Sequence, residues 1–228
     1  MKKIRVLTFH YAHNYGAMLQ AYALQKVLSR NEKNEVKFID YRKSNIENSY
    51  KVFKPIRKNM LRWFKDNINS LKHYNSKKLR YNNFNKFLYS KLNLTERVYS
   101  IKELTELSKA DIYITGSDQV WNPNIVMELS DIYTLNFKLE SVKKIAYAAS
   151  VGDASLIAER AEEYKNKISN INYISVREND AKIELEKIIN NNIEVVLDPT
   201  LLLSIDDWNN EIKDCANITD KYILAYVV

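Results

Sequence analysis

Lys3-Ile-Arg-Val-Leu-Thr-Phe-His-Tyr-Ala-His-Asn-Tyr-Gly16 is the stretch that decides the fold, because it predicts a strand, a loop and the start of a helix. The apolar run over 3–9 is typical of a buried strand. Apolar residues then recur at helical spacing over 15–30, which predicts the first helix. A strand followed at once by a helix is the repeating unit of α/β proteins with a parallel sheet.

Strands and helices continue to alternate along the chain. Further strands are predicted at 36–41, 111–115, 144–150, 173–176, 193–197 and 221–228, and further helices at 101–107, 155–169, 178–190 and 206–214. This order predicts an α/β fold with a doubly wound, parallel, Rossmann-like sheet. We interpret residues 1–217 as one domain that carries a basic insertion of two or three helices at about 42–108.

The last predicted strand, 221–228, is apolar throughout, as are strands that are buried on both faces of a sheet. Such a strand normally has neighbours on both sides. We therefore expect residues 218–228 to be the first strand of a second domain that this chain largely lacks.

The composition excludes several classes of protein. Cys215 is the single cysteine, which excludes a disulfide framework and a cysteine metal site, and we interpret it as a bystander. With three histidines and no long apolar stretch, neither a metal centre, a signal peptide nor a transmembrane helix is expected. The motifs of P-loop enzymes, zinc proteases and serine hydrolases are absent. These features predict a cytoplasmic protein.

Positive charge is concentrated in residues 42–91, which hold 14 Lys or Arg against the two acidic residues Glu47 and Asp66. Aromatic residues are interleaved with these cations. An amphipathic helical region with its aromatic residues inward would explain the pattern. Peripheral contact with an anionic carbohydrate or its lipid carrier at a membrane surface is a second explanation. Nucleic acid binding is a third, but nucleic acid is not an expected partner.

All three glycines, Gly16, Gly116 and Gly152, lie where a predicted strand passes into a loop. Glycine permits a positive φ and a close approach of two backbones. Because ligands bind in the crevice at the carboxyl ends of parallel strands, we expect these loops to shape one binding site.

The first loop leads into the first helix, whose free N–H groups suit anions and sugar hydroxyls. Asn14 either caps this helix or contacts a ligand as well. His10 and His13 lack acidic or thiolate companions nearby, so a metal site is not expected here.

Gly116-Ser-Asp-Gln-Val-Trp-Asn-Pro123 is the densest polar cluster that follows any predicted strand. Asp118 could act as a general base if it is partly desolvated. Trp121 could stack on the face of a sugar ring. A capping turn with Trp121 buried in the core explains the same residues equally well.

Two later positions also carry candidate chemistry. Arg177 follows a strand and can clamp a carboxylate or phosphate, or it can pair with Glu178 or Asp180. Asp198 precedes a proline and is either a polar group of the site or a turn-forming residue.

Taken in order, four segments of this chain resemble the polysaccharide pyruvyl transferase family. They are Asn14-Tyr-Gly-Ala-Met-Leu-Gln-Ala-Tyr-Ala-Leu-Gln25, Gly116-Ser-Asp-Gln-Val-Trp-Asn-Pro123, Ser175-Val-Arg-Glu178 and Leu197-Asp-Pro-Thr-Leu-Leu-Leu203. The Gly-Ser-Asp-Gln-Val-Trp-Asn run is the most specific of them. The four segments together span essentially the whole chain.

The resemblance implies two Rossmann-like domains that face a cleft, similar to GT-B glycosyltransferases. It also implies transfer of a pyruvyl group from phosphoenolpyruvate, the donor substrate, to a hydroxyl of a glycan or lipid-linked sugar, leaving a ketal and phosphate without a cofactor. Family members continue into a second domain that adds cationic and histidine contacts to the donor. This chain would therefore be the acceptor-side half, working in exopolysaccharide or cell-envelope assembly at the cytoplasmic face of the membrane.

The resemblance further implies roles for single residues. Arg177 would bind the anionic groups of the donor, Asp118 would orient or deprotonate the acceptor hydroxyl, and Trp121 would stack on the sugar. The substrate-binding positions are completed by a wall at the helix terminus and by polar support, namely Asn14, Tyr15, Gly16, Gly116, Ser117, Asn122 and Asp198.

Two other functions are compatible with the same residues. One is a sugar transferase that uses a nucleotide-sugar donor on this architecture, which protection by UDP or GDP and not by phosphoenolpyruvate would reveal. The other is a non-catalytic module that binds anionic glycan or membrane through residues 42–91, which salt-sensitive binding without turnover would reveal.

Overall fold

The computed structural model describes residues 1–56, 59–107, 109–139, 141–211 and 221. Within these residues the strands are β1 (Lys2–Leu7), β2 (Asn34–Tyr41), β3 (Leu94–Val98), β4 (Ile112–Gly116), β5 (Lys143–Ala149), β6 (Tyr173–Val176) and β7 (Ile193–Val195). They form one sheet in the order β3-β2-β1-β4-β5-β6-β7, and every neighbouring pair is parallel. The predicted α/β, doubly wound parallel fold is confirmed. The resemblance to a two-domain GT-B enzyme stays a prediction.

Helices connect these strands and cover both faces of the sheet. In the described residues they are α1 (Tyr15–Ser29), α2 (Ser44–Tyr50), α3 (Met60–Lys72), α4 (Tyr74–Lys91), α5 (Ile101–Leu107), α6 (Pro123–Val126), α7 (Ser155–Glu159), α8 (Ala161–Ile168), α9 (Asn179–Glu186) and α10 (Ile205–Asn209), with a 3-10 turn at Pro199–Leu202. The central strands are buried on both faces, as Val6 and Phe38 illustrate, which explains their continuous apolar runs.

The strand order places a switch point between β1 and β4. The chain leaves β1 toward β2 and β3 on one side, then returns to pair β4 with the other edge of β1. Connections that leave in opposite directions open a crevice at the carboxyl ends of these two strands. The loops that follow β1 and β4 are therefore the ones that the fold places at a ligand-binding crevice.

The structure corrects the extent of the helical insertion. Helices α2, α3 and α4 match the predicted two or three, but β3 then returns to the sheet as its edge strand beside β2. Its sequence, Leu-Thr-Glu-Arg-Val, lacks an apolar run because an edge strand is half exposed and commonly charged. The prediction of a single helix over 155–169 is also wrong, since α7 ends at Glu159 and the next residue, Arg160, leaves the helical conformation (φ −126°, ψ 35°) before α8 begins.

Helix α4 anchors the basic insertion to α1. Phe84 and Leu88 of α4 are buried in the core between these helices. The amide of Gln25 on α1 donates to the carbonyl of Lys91 at 2.9 Å and accepts from the Asn93 backbone N–H at 2.7 Å. These bonds fix the end of α4 and the entry into β3.

The predicted strand over 221–228, apart from Lys221, and Cys215 lie outside the described residues, as does the end of the helix predicted over 206–214. The assignment of 218–228 to a second domain therefore stays a prediction. Among the helices of the described residues, none has the length and apolar character needed to cross a bilayer.

Candidate functional site

A cavity of about 510 Å³ lies at the switch point between β1 and β4. The loop after β1 contributes Phe9, Ala12 and Asn14, and the loop after β4 contributes Ser117, Asp118 and Gln119. The cavity is completed by residues of α1 and of more distant parts of the chain, namely Gly16, Ala17, Gln20, Ile46, Tyr50, Ile125, Arg177, Asp198 and Thr200. Six of the predicted site residues thus share one cavity.

The end of β4 has an unusual backbone that sets the direction of the next loop. Gly116 has a φ of 127° and Ser117 a φ of 62°, so two successive residues adopt left-handed conformations. A Cβ atom at position 116 would lie 2.3 Å from the carbonyl oxygen of Tyr147 on β5. Only glycine fits there, and its role is to allow this close approach, while Ser117, which tolerates the same region less well, carries strain of the kind found at functional sites.

Hydrogen bonds between the loops after β4 and β5 hold Asp118 in place. The Asp118 carbonyl accepts from the Val120 N–H at 2.7 Å and from the Ser150 N–H at 3.1 Å, and the Trp121 N–H donates to the Ser150 carbonyl at 3.2 Å. The carboxylate Oδ1 of Asp118 accepts from the Gln119 N–H at 2.7 Å. The Asp118 side chain is therefore fixed by its own backbone and still faces the cavity.

Burial raises the pKa of Asp118 to about 6. The Gln119 N–H and the nearby Arg177 guanidinium oppose this rise, and the charge of Asp198 adds to it. A carboxylate with this pKa is ionised at neutral pH and is a stronger base than an ordinary aspartate, which suits proton abstraction from a hydroxyl.

Arg177 lies between two carboxylates at the cavity wall. Its Nε is 3.1 Å from Oε1 of Glu178, and its Nη1 is 3.4 Å from Oδ2 of Asp198. Glu178 also accepts from the Ser150 hydroxyl at 2.7 Å. The alternative prediction of an ion pair with Glu178 is confirmed, but Arg177 still lines the cavity, and its Nη2 makes no hydrogen bond within the described residues. One edge of the guanidinium is thus left for a ligand.

The Asp198 side chain caps the 3-10 turn that follows it and also lines the cavity. Its Oδ1 accepts from the N–H and the hydroxyl of Thr200, at 3.0 and 2.7 Å, which caps the following 3-10 turn. Its Oδ2 accepts from the Ser117 hydroxyl at 3.2 Å and faces Arg177. The turn-forming interpretation of Asp198 is therefore confirmed, and the residue also lines the cavity, while its contact with a ligand stays a prediction.

The N-terminus of α1 forms another part of the cavity wall. Asn14 caps the helix, its Oδ1 accepting from the Ala17 N–H at 3.2 Å. The backbone N–H groups of Tyr15 and Gly16 make no hydrogen bond within the described residues, as is usual in the first turn of a helix. One turn later, buried Gln20 donates to the Thr8 hydroxyl and its Oε1 has no partner within the described residues. This wall offers the backbone N–H group of Gly16 to a ligand, whereas the unpaired Gln20 Oε1 is buried beneath it.

Four predicted site residues lie outside the cavity lining. Tyr15 is exposed and packs beside Phe84 in a groove between α1 and α4. Asn122 caps α6, its Oδ1 accepting from the Asn124 N–H at 2.9 Å. Gly116 serves the backbone contact with β5. These three are structural neighbours of the site and do not contact its ligand space directly.

Trp121 is the fourth, and its predicted sugar-stacking role is wrong. The side chain is 0% exposed and lies in the main hydrophobic core. Its indole N–H donates to the Tyr133 carbonyl at 3.2 Å. The alternative interpretation, a capping turn with Trp121 in the core, is the one that the structure bears out.

Replacing Tyr164 with phenylalanine tests this buried arrangement. The Tyr164 hydroxyl donates to the Trp121 carbonyl at 2.6 Å, so Tyr164→Phe leaves that buried carbonyl without its partner. We expect the free energy of unfolding to fall by about 1–2 kcal/mol, measured by urea unfolding. Tyr173→Phe, the control, removes the hydroxyl of an exposed tyrosine and should leave the free energy of unfolding unchanged. Equal losses of stability in the two variants would contradict the role of the Tyr164 hydrogen bond.

Neither histidine of the first loop reaches the cavity. His10 is buried, its Nδ1 donating to the Thr8 carbonyl at 3.1 Å and its Nε2 lying 3.3 Å from Asp40. His13 is stacked between Tyr50 and Phe84, and burial, assisted by Arg80 and Arg42, lowers its pKa to about 4. Both therefore stabilise the base of the loop. The described residues hold no group of three or more His, Cys, Asp or Glu placed to bind a metal ion.

The sequence analysis did not identify Gln20 or Tyr50 as cavity residues. Gln20 lies one helical turn after Gly16 and so on the same face of α1, a spacing that could have revealed it. Tyr50 is at the end of α2, and no local pattern indicates that this helix folds back over the crevice.

One of three comparisons with known proteins identifies a family for this chain. A family model described as polysaccharide pyruvyl transferase matches residues 14–228, which include every cavity residue except Phe9 and Ala12. Comparison with curated proteins returned no match, and comparison with solved structures returned none.

Proposed function

Since this chain belongs to the polysaccharide pyruvyl transferase family, we propose that its cavity catalyses transfer of a pyruvyl group from phosphoenolpyruvate to a glycan. The observation that supports this most is the position of Asp118, a carboxylate of raised pKa that shares a cavity with Arg177 at the switch point of the sheet. A base and a cation in one crevice are what the two substrates require.

The reaction can be written with atoms in balance. Phosphoenolpyruvate accepts a proton at its methylene carbon, and one sugar hydroxyl oxygen bonds to the neighbouring carbon after losing its own proton. A second hydroxyl of the same glycan displaces phosphate from that carbon and gives its proton to the departing phosphate. The products are a cyclic pyruvyl ketal and inorganic phosphate.

The cavity itself fits the acceptor glycan better than the whole donor. Residues with acceptor oxygens line it, namely Asn14, Asp118 and Asp198, while Arg177 is the cation among its lining residues in the described part of the chain. Sugar hydroxyls donate hydrogen bonds to such oxygens. In this proposal Asp118 takes the proton from the attacking hydroxyl.

The anionic end of the donor is assigned to the part of the cavity lined by Arg177 and the first turn of α1. There the Nη2 of Arg177 and the backbone N–H group of Gly16 have no other partner in the described residues. A guanidinium and a helix N-terminus both bind carboxylate and phosphate oxygens. Donor and acceptor would thus bind in the same cavity as Asp118.

Phosphate release from phosphoenolpyruvate, measured with a panel of free and lipid-linked glycans, tests the proposal. We expect release that depends on acceptor and is lost in Asp118→Asn. Protection against thermal unfolding by phosphoenolpyruvate and not by UDP or GDP is expected in parallel. Protection by the nucleotides alone would overturn the proposal in favour of a nucleotide-sugar donor.

Arg177→Gln is expected to weaken phosphoenolpyruvate binding by about 10–100-fold, because a charged hydrogen bond to the donor is lost. Calorimetry or thermal-shift titration measures the dissociation constant. Arg160→Gln, which removes an exposed arginine paired with Glu163 on α8, is the matched control and should leave binding unchanged. Unaltered affinity in Arg177→Gln would show that the donor binds elsewhere.

A further inference from the structure

Helix α3 has the reverse orientation to an ordinary surface helix, because its apolar face is exposed and its polar face is buried. Its polar face lies against the rest of the protein, where Ser70 is fully buried and Asp66 and Asn67 are half-buried. Its apolar face is exposed, with Leu61 at 85%, Phe64 at 54%, Ile68 at 52% and Leu71 at 63%. A helix whose partner is its own domain normally buries the apolar side.

The polar face of α3 is held by specific hydrogen bonds. The Asn67 side chain accepts from the Lys54 N–H at 2.9 Å and donates to the Trp63 carbonyl at 3.0 Å. The Trp63 indole N–H donates to the Lys54 carbonyl at 2.9 Å, and Lys77 of α4 donates to the Ser70 hydroxyl at 3.0 Å. These bonds fix the rotation of the helix, so its outward apolar face is a built feature of the fold.

Exposed apolar residues on α3 occupy one stripe. Met60, Leu61, Phe64, Ile68 and Leu71 recur at spacings of three and four and form what we term the α3 apolar face. An exposed stripe of this length marks an interaction surface.

Basic side chains border the α3 apolar face. Lys65 and Lys72 lie on the same exposed side of the helix, and Arg62 lies beyond them. The surrounding segment 42–91 has a local charge of +12. Lysine and arginine stems can extend along an apolar surface and place their charges at its border, as in helices that lie in the plane of a bilayer.

We propose that the α3 apolar face inserts into the surface of an anionic lipid bilayer, with Lys65 and Lys72 at the level of the phosphate groups. Phe, Leu and Ile side chains enter the acyl boundary, and the cations bind the negative headgroups. A second copy of this chain is a poorer occupant, because two surfaces of the same strong positive charge repel one another. Nucleic acid would use the cations but would leave the apolar stripe uncovered.

Binding of the purified protein to vesicles tests the proposal. The vesicles contain phosphatidylglycerol and phosphatidylcholine, or phosphatidylcholine alone, and the bound fraction is measured by sedimentation. We expect binding to the anionic vesicles that weakens with salt, and little binding to the neutral ones.

Substitutions separate the apolar contribution to vesicle binding from the electrostatic one. Leu61→Ser, Phe64→Ser and Ile68→Ser combined should reduce the partition coefficient by about tenfold or more, because apolar area no longer enters the bilayer. Lys65→Gln with Lys72→Gln should reduce it by about fivefold per lysine. The matched control combines Ile183→Ser, Leu201→Ser and Ile205→Ser, which are also exposed apolar residues, and should bind as the unmodified protein does.

Three results would overturn the proposal. The first is equal binding by the serine triple variant and the unmodified protein, both shown to be folded by circular dichroism, which would make the contact purely electrostatic. The second is absence of binding to anionic vesicles at low salt. The third is light scattering that shows a dimer lost in the serine triple variant, without vesicle binding, which would assign the face to self-association.

Discussion

Asp118→Asn is expected to lower acceptor-dependent phosphate release by about 10²–10⁴-fold, the usual contribution of a positioned general base. Asparagine retains an oxygen that can accept from the Gln119 N–H, so the loop keeps its shape while the base is lost. Steady-state release from phosphoenolpyruvate measures the effect. Asp206→Asn, at an exposed carboxylate on α10, is the matched control and should retain full activity.

Asp118→Asn should also change stability: the substitution that lowers activity should make the folded state more stable, because the pKa of Asp118 is raised by burial. The folded pKa of about 6 exceeds the ordinary value, so the folded state holds its proton more strongly than the unfolded state does. Below the unfolded pKa the Asp118 carboxyl is protonated in both states and does not lower the free energy of unfolding. As the pH rises through about 6 the buried group ionises, and the free energy of unfolding falls. Asp118→Asn should raise the free energy of unfolding by about 1–3 kcal/mol at pH 8, and the gain should vanish near pH 4.

The pH dependence of catalysis follows from the same ionisation. In the unmodified protein kcat/KM should rise with pH and level off above about 6, since only the carboxylate accepts the hydroxyl proton. A profile that is flat between pH 5 and 7, or full activity in Asp118→Asn, would remove Asp118 as the base. The stability gain could still occur in that case, which separates burial of the group from its role in catalysis.

Trp121→Ala is expected to lower the free energy of unfolding by about 3–5 kcal/mol, because a fully buried indole leaves a cavity in the core. It also removes the donor to the Tyr133 carbonyl and so leaves a buried acceptor without that bond. Urea unfolding followed by circular dichroism measures the loss.

Controls for Trp121 distinguish a core residue from a sugar-binding one. Trp121→Phe keeps most of the ring volume and should lose less stability than Trp121→Ala. Trp63→Ala on α3, where the indole is half-buried, should also cost less than Trp121→Ala. If Trp121→Ala unfolded at an unchanged urea concentration and lost only glycan affinity, the ring would contact sugar after all.

Much of the fold could be predicted from the sequence because buried parallel strands have continuous apolar runs. The runs at the start of the chain and before Gly116 correspond to β1 and β4, the two strands that border the crevice. The edge strand β3 was missed because its residues are polar and half exposed, so no apolar run marks it. The break at Arg160 was missed because both sides of it are helical in composition.

The candidate site was predictable where its residues immediately follow a strand. Ser117, Asp118 and Arg177 all have this position, and parallel strands bring their carboxyl ends to the same edge of the sheet. Asn14 lies at the far end of the loop after β1, where its place before the first helix marked it. Tyr50 was not predictable, because its place over the crevice depends on how α2 packs against the loop after β4.

By itself the sequence determined the alternation of strands and helices, and with it the edge of the sheet at which polar side chains collect. It also determined where glycine permits the turn after β4. Only the tertiary structure decided which way a side chain faces. Trp121 and Asp118 are three residues apart, yet Trp121 is buried in the core and Asp118 lines the cavity. It likewise decided that α3 exposes its apolar side, because the hydrogen bonds of Asn67 and Ser70 fix the rotation of that helix, and amphipathicity alone would predict the reverse.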